Sequence, residues 1–233
     1  MGDLEYSVLA EFYEKIEATT RRTAMTEYLV ALLKKTPIEV VDKVIYLTQG
    51  KLRPDYEGVE LGIAERLAMR AVAQVAGVSV KKVEEKYKRL GDVGSVAQSL
   101  LTRGKTVSIT DFFGLGEAER RLTVTRVYDT LMRIARASGP GAQDTKISLL
   151  VSLLRDASPL EAKYLLRTVT GRLRLGIADM TILDALAIAY AGSKSARPAI
   201  ERAYNMRPDL GFIAKTLAKG GLEAIKSIGI TVG

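Results

Sequence analysis

The sequence predicts an all-α protein of about a dozen helices, arranged as two pseudo-symmetric repeated helical units. Three observations carry this reading. Apolar residues recur at three- and four-residue spacing along the chain, with no convincing run of the alternation that strands require. Caps, prolines and glycines punctuate the periodic segments where helices should start and stop. Four short motifs of the first half return in the same order in the second.

The first helix is expected from Leu4 to Thr19, with Leu4, Val8, Leu9, Phe12 and Ile16 at helical spacing. Thr19-Thr20-Arg21-Arg22 breaks the pattern, and a second helix follows to Lys35. Thr36-Pro37 reads as an N-cap with proline at the first position, opening a third helix through Val40, Val41, Val44, Ile45 and Leu47 that stops at Gly50. After the irregular segment Gly50 to Gly58, a fourth helix is expected from about Ile63 to Gly77, and Ser79 caps a fifth to Leu90. Gly91-Asp92-Val93-Gly94 opens a short sixth. Residues 104–122 form the longest irregular stretch. Helices then follow from Thr123 to Ala137, over 144–156, and from a second cap-plus-proline at Ser158-Pro159 to Gly171. A helix over 179–191 and shorter ones near 196–204, 209–219 and 221–227 complete the chain.

The two halves echo each other. Ile16-Glu17-Ala18-Thr19-Thr20 returns as Ile134-Ala135-Arg136-Ala137-Ser138, and Thr36-Pro37-Ile38-Glu39 as Ser158-Pro159-Leu160-Glu161. Thr48 to Arg53 returns as Val169 to Arg174, and Leu61-Gly62-Ile63-Ala64-Glu65 as Leu175-Gly176-Ile177-Ala178-Asp179. The offset is 122 at Thr36 and 121 at Gly50, and falls to 114 at Leu61 because the first copy inserts Pro54 to Glu60. Residues 1–233 therefore read as a single domain, with repeat one over about 4–103, a connector over 104–122 and repeat two over about 123–228. Two related helical units in one chain commonly pack about a pseudo-two-fold axis. A duplication kept only for its fold is the alternative.

Composition narrows the chemistry. Cysteine and histidine are both absent, which excludes disulfides, Cys/His zinc sites and Ser-His or Cys-His catalysis. A carboxylate or lysine mechanism stays open. The net charge of +8 is unevenly placed, with 18 basic and 18 acidic residues in 1–120 against 17 and 9 in 121–233. A basic half suggests a polyanion, with nucleic acid the first candidate, although a basic face without a ligand is also possible. No apolar run approaches the ~20 residues of a membrane span. The N-terminus lacks a signal peptide's apolar core. A monomer in the cytoplasm, nucleoid-associated in a prokaryote, is expected.

The candidate contact groups lie in the basic half and its echo. In Thr170-Gly171-Arg172-Leu173-Arg174-Leu175-Gly176, an extended backbone puts Arg172 and Arg174 on one face and the leucines on the other. The helix that follows adds its N-terminal N–H groups, a local recipe for gripping phosphate. The bland alternative is a connector with two solvated arginines. Gly50, Lys51 and Arg53 follow as the matching segment of the first repeat, with Asp55, Glu57 and Glu60 close behind them. Each repeat also has a short segment opening a helix with hydroxyls and positive charge, Thr20-Arg21-Arg22 and Thr145-Lys146. The threonines serve equally as N-caps. Charge of this kind holds a backbone without reading bases, so sequence-independent, salt-sensitive binding is expected.

Tyr13-Glu14-Lys15-Ile16-Glu17, Glu60-Leu61-Gly62-Ile63, Gly91-Asp92-Val93-Gly94 and Thr170 to Ala178 occur in one order that resembles the N-terminal DNA-binding domain of archaeal and eukaryotic-type ATP-dependent DNA ligases. The resemblance covers essentially the whole chain. It implies an all-helical domain that grips the minor groove opposite a nick, in an enzyme that seals nicks during replication, recombination and repair. It places Arg22, Lys146, Gly171, Arg172, Arg174 and Gly176 at backbone-contacting positions. The family takes AMP from ATP through a lysine in a Lys-x-Asp-Gly motif, and this sequence contains no Asp-Gly dipeptide. ATP, Mg2+ and nick sealing would then belong to adenylation and OB-fold domains expected after residue 233. This segment would bind nicked duplex DNA with no cofactor, metal or catalytic residue of its own.

Ile109, Phe112 and Phe113 follow the spacing of a sliding-clamp-binding peptide, with Thr106 where glutamine is usual. Archaeal relatives are similar in carrying such a peptide here. The same phenylalanines could instead cover the domain's own core. The competing functional reading is a helical protein-interaction module that binds a sliding clamp and has no direct DNA role. A complete small enzyme with a carboxylate or lysine site is a third.

Overall fold

A computed structural model of the chain describes residues 2–101 and 121–230. Among the described residues there are twelve α-helices and no β-strand, only an isolated antiparallel bridge between Glu5 and Thr123. The all-α prediction stands. The helices are α1 (Tyr6–Glu17), α2 (Arg22–Lys35), α3 (Val41–Thr48), α4 (Glu65–Ala76), α5 (Val80–Leu90) and α6 (Val93–Leu101), then α7 (Val124–Arg136), α8 (Ala142–Asp156), α9 (Pro159–Val169), α10 (Asp179–Ala191), α11 (Arg197–Met206) and α12 (Leu210–Lys226). The expected clamp residues Ile109, Phe112 and Phe113 lie outside the described residues.

Local signals work at several helix ends. The Thr123 and Ser79 hydroxyls accept from the N–H groups of Arg126 and Lys82. Ser158 and Glu161 form a reciprocal capping box in front of Pro159. Thr36 differs from expectation. Its hydroxyl donates back to the Leu32 carbonyl at 2.8 Å, so it closes α2 and does not cap the next helix. Pro37 leads first into a 3-10 turn, Ile38–Val40, before α3 begins. Thr145 and Lys146, expected to open a helix over 144–156, lie inside α8, which starts two residues earlier, at Ala142 behind the left-handed Gly141. The two final segments form one helix, interrupted at Gly221, whose φ of 64° and ψ of −160° are not helical.

The chain folds into two compact units that interleave in sequence. One comprises Met1–Leu4, Glu11–Val59 and Arg174–Gly233, the other Glu5–Ala10 and Glu60–Leu173. In the first, α2 packs on α10, α3 on α12, and α10, α11 and α12 on one another. Its core includes Leu29, Leu32, Val44, Ile45, Leu183, Leu186, Ile200 and Ile213, each essentially without solvent contact. In the second, α8 packs on α4 and α7, α9 on α6, and α4, α5 and α6 on one another. Its buried residues include Val72, Val83, Val96, Leu131, Leu150, Leu153, Leu165 and Leu166. Each such side chain contributes roughly 1.5–3 kcal/mol through removal from water.

The sequence echo pairs α2 with α8, α3 with α9 and α4 with α10, and chain order extends this to α5 with α11 and α6 with α12. Under that register the five helix pairs of the first unit recur as five pairs of the second. The first unit thus draws α2 and α3 from the first half of the chain and α10 to α12 from its end, while the second is built from α4 to α9.

The recurrence extends to side chains. Asp92 caps α6 through the N–H groups of Gly94 and Ser95, and accepts from Arg167 of α9. Asp209 caps α12 through the Phe212 N–H and accepts from the Tyr46 hydroxyl of α3 at 2.6 Å. Beside each aspartate the helices close on a glycine. A Cβ on Gly94 would lie 2.5 Å from the Lys163 carbonyl oxygen, and one on Gly211 would lie 2.4 Å from the Tyr46 ring.

Candidate nucleic-acid interface

The two basic segments leave equivalent helices through the same turn. At the end of α3, the Gly50 N–H donates to the Leu47 carbonyl and the Lys51 N–H to Tyr46. At the end of α9, the Gly171 N–H donates to Thr168 and the Arg172 N–H to Arg167. These bonds satisfy the last carbonyls of the helix and need a left-handed residue, which Gly50 (φ 72°) and Gly171 (φ 69°) provide. The chain then runs without helix through Arg172, Leu173, Arg174 and Leu175. The leucines are buried and the arginines exposed, as the alternation predicted. Gly176 is left-handed again, and its Cα side faces Met25 in the first turns of α2.

Each segment is tied to the start of a helix by an acid and a tyrosine. In the second unit, Glu65, the first residue of α4, accepts from the Tyr87 hydroxyl at 2.6 Å and meets Arg172 Nε at 3.3 Å. The hydrogen bond to Glu65, with burial, raises the Tyr87 pKa. In the first unit, Asp179, the first residue of α10, accepts from the Tyr204 hydroxyl at 2.7 Å and from Gln49, the residue before Gly50, at 3.3 Å. Burial first, then Asp179, push Tyr204 up to about 12. Both tyrosines are therefore neutral donors at physiological pH.

The two copies differ in charge. Lys51 pairs with Asp55 and Arg53 with Glu57, each at 2.9 Å, so acids of the first copy's insertion neutralise its basic residues. Arg172 has its contact with Glu65 yet keeps 65% of its side chain exposed. At the other opening, the Thr19 hydroxyl accepts the Arg21 N–H, Thr20 and Arg21 are exposed, and α2 begins at Arg22 with no side-chain cap and no acid in its first turn. Thr145 is exposed and Lys146 half-buried in α8, whose first turn carries Asp144.

Residues absent from the sequence-based set surround Arg22. Asp184, inside α10, is 1% exposed and meets Arg22, Lys194 and Arg197 at 3.0, 3.2 and 3.3 Å. The available signal was an aspartate within the apolar run Ile182-Leu183-Asp184-Ala185-Leu186, because a buried charge requires a partner.

The sequence profile of the family described as DNA ligase N terminus matches residues 5–187. The chain belongs to this family. It is 64% identical over 232 residues to the DNA ligase 2 of Thermofilum pendens, 55% identical over 236 residues to the DNA ligase of Caldivirga maquilingensis, and 48% identical over 231 residues to the probable DNA ligase of Aquifex aeolicus. These alignments take in all of this chain for the first two and 99% for the third, but only 38% of each relative. As a member of the DNA ligase N terminus family, the chain carries no helix, among its described residues, long and apolar enough to cross a membrane.

Proposed function

We propose that this chain is the duplex-holding part of an ATP-dependent DNA ligase, with nick sealing, ATP and Mg2+ assigned to the remainder of the protein. It binds nicked double-stranded DNA across the minor groove through phosphates, without sequence preference. Family membership supports the substrate. The observation that carries the binding mode is the segment between Gly171 and Gly176, where both leucines are buried and both arginines exposed.

The duplicated turn supports a two-sided grip. Duplex DNA has a local two-fold of its own, and a pseudo-symmetric protein can meet both strands. Arg172 and Arg174 carry most of the charge on one side. Arg22, Arg21 and the start of α2 supply another contact, and Thr20, Thr145, Lys146 and the pairs at Lys51 and Arg53 add smaller ones.

Titration with nicked and intact duplex at several salt concentrations tests this. The proposal expects affinity that falls steeply with salt and falls further in Arg172→Ala with Arg174→Ala. Absence of binding at low salt refutes it.

A further inference from the structure

Asp184 is buried among apolar neighbours of α10, where a lone carboxylate is costly. One cation would neutralise it. Three converge on it instead. Arg197, only 26% exposed, meets Oδ1 and also lies 3.5 Å from Glu201. It is the cation most nearly buried with the carboxylate. Arg22 Nη2 and Lys194 Nζ both meet the other oxygen, Oδ2, and remain 57% and 62% exposed. Two positive groups held on one oxygen repel each other, and the five charges leave a net excess of one. The excess charge sits on exposed groups that an anion can reach from solvent. Around it, α2 starts at Arg22 with no side-chain cap, so its N-terminus adds to the positive field. All of these groups belong to one compact unit.

We propose that Arg22 and Lys194, positioned by the buried Asp184, form a second phosphate site that takes a backbone phosphate of duplex DNA. The inference rests on the DNA-holding reading above and adds Lys194 as a contact, with Asp184 and Arg197 as positioning residues. Gly176 lies against Met25, one turn along α2 from Arg22, and these three residues belong to the same unit.

The test is the dissociation constant for a nicked duplex across a salt series. The unmodified chain is compared with Lys194→Met, which keeps the aliphatic stem and removes the charge, and with Lys194→Arg, which restores the charge. Lys81→Ala, at an exposed lysine of α5, is the control. Lys194→Met should weaken binding several-fold and lower the slope of log affinity against log salt by about one. Lys194→Arg should recover both, and Lys81→Ala should change neither. Thermal midpoints are read alongside. A slope unchanged in Lys194→Met, or lowered equally in Lys81→Ala, overturns the site and leaves the DNA-holding reading intact. No binding by the unmodified chain overturns both.

Discussion

The Arg167 guanidinium donates to a single oxygen of Asp92 through two nitrogens, at 3.0 Å from Nε and 2.8 Å from Nη2. Asp92 also caps α6, so one carboxylate fixes the start of that helix and its packing on α9. Burial pushes the Asp92 pKa up, but the hydrogen bonds from Arg167 and Ser95, with the Arg167 charge, outweigh it and hold the carboxyl below its ordinary value.

A pH dependence follows. Because the folded value lies below the unfolded one, ionised Asp92 stabilises the protein fully above the unfolded pKa of about 3.9. That contribution is lost as pH falls through the lower folded value. Asp92→Asn should therefore cost roughly 1–3 kcal/mol in urea unfolding at pH 7. The gap from the unmodified chain should narrow near pH 3. A gap independent of pH would show that the carboxylate charge has no part in it.

Gly94 and Gly211 predict a paired result. In both places the space for a methyl group is filled, by a backbone carbonyl in one and an aromatic ring in the other. Overpacking of this kind costs about 1–3 kcal/mol. Gly94→Ala and Gly211→Ala should each lower the denaturation midpoint. Gly62→Ala, where a Cβ meets nothing within 4 Å, should not. Unchanged midpoints in the first two would contradict the close helix approach.

Local features of this fold were legible in the sequence, and long-range ones were not. The span predicted over 179–191 is that of α10, and the cap-plus-proline start at Ser158-Pro159 was readable because its signals are adjacent in the chain. The helix ends at Gly50 and Gly171 and the buried leucines were visible in one heptapeptide and its echo. The packing of α2 on α10 was not, since nothing local says that helices so far apart in sequence meet. Neither were the links from Arg167 to Asp92 and Tyr46 to Asp209, which join residues 75 and 163 positions apart. Thr36 misled for a simple reason: a threonine before proline can cap forward or bond back, and composition does not choose.

The Ile109, Phe112 and Phe113 peptide makes a separate prediction from sequence spacing. Phe112→Ala with Phe113→Ala should abolish capture by a sliding clamp while leaving the thermal midpoint and DNA affinity unchanged. Loss of folding would instead assign the two rings to the protein's own core.

The unequal charge of the two copies gives the sharpest comparison. Lys51 and Arg53 each sit 2.9 Å from an acid of the Pro54 to Glu60 insertion and are 28% and 42% exposed, while Arg172, 3.3 Å from Glu65, is 65% exposed after a turn of the same shape. A cation held closer to a carboxylate and more covered gains less when it meets a phosphate, because the carboxylate must first be displaced. Lys51→Ala with Arg53→Ala should therefore weaken duplex binding less than Arg172→Ala with Arg174→Ala. The reverse change is more telling. Asp55→Asn with Glu57→Gln removes the competing carboxylates and should tighten binding and steepen its salt dependence, toward two further contacts. If that variant binds no better than the unmodified chain, the first copy is outside the interface and the grip is one-sided.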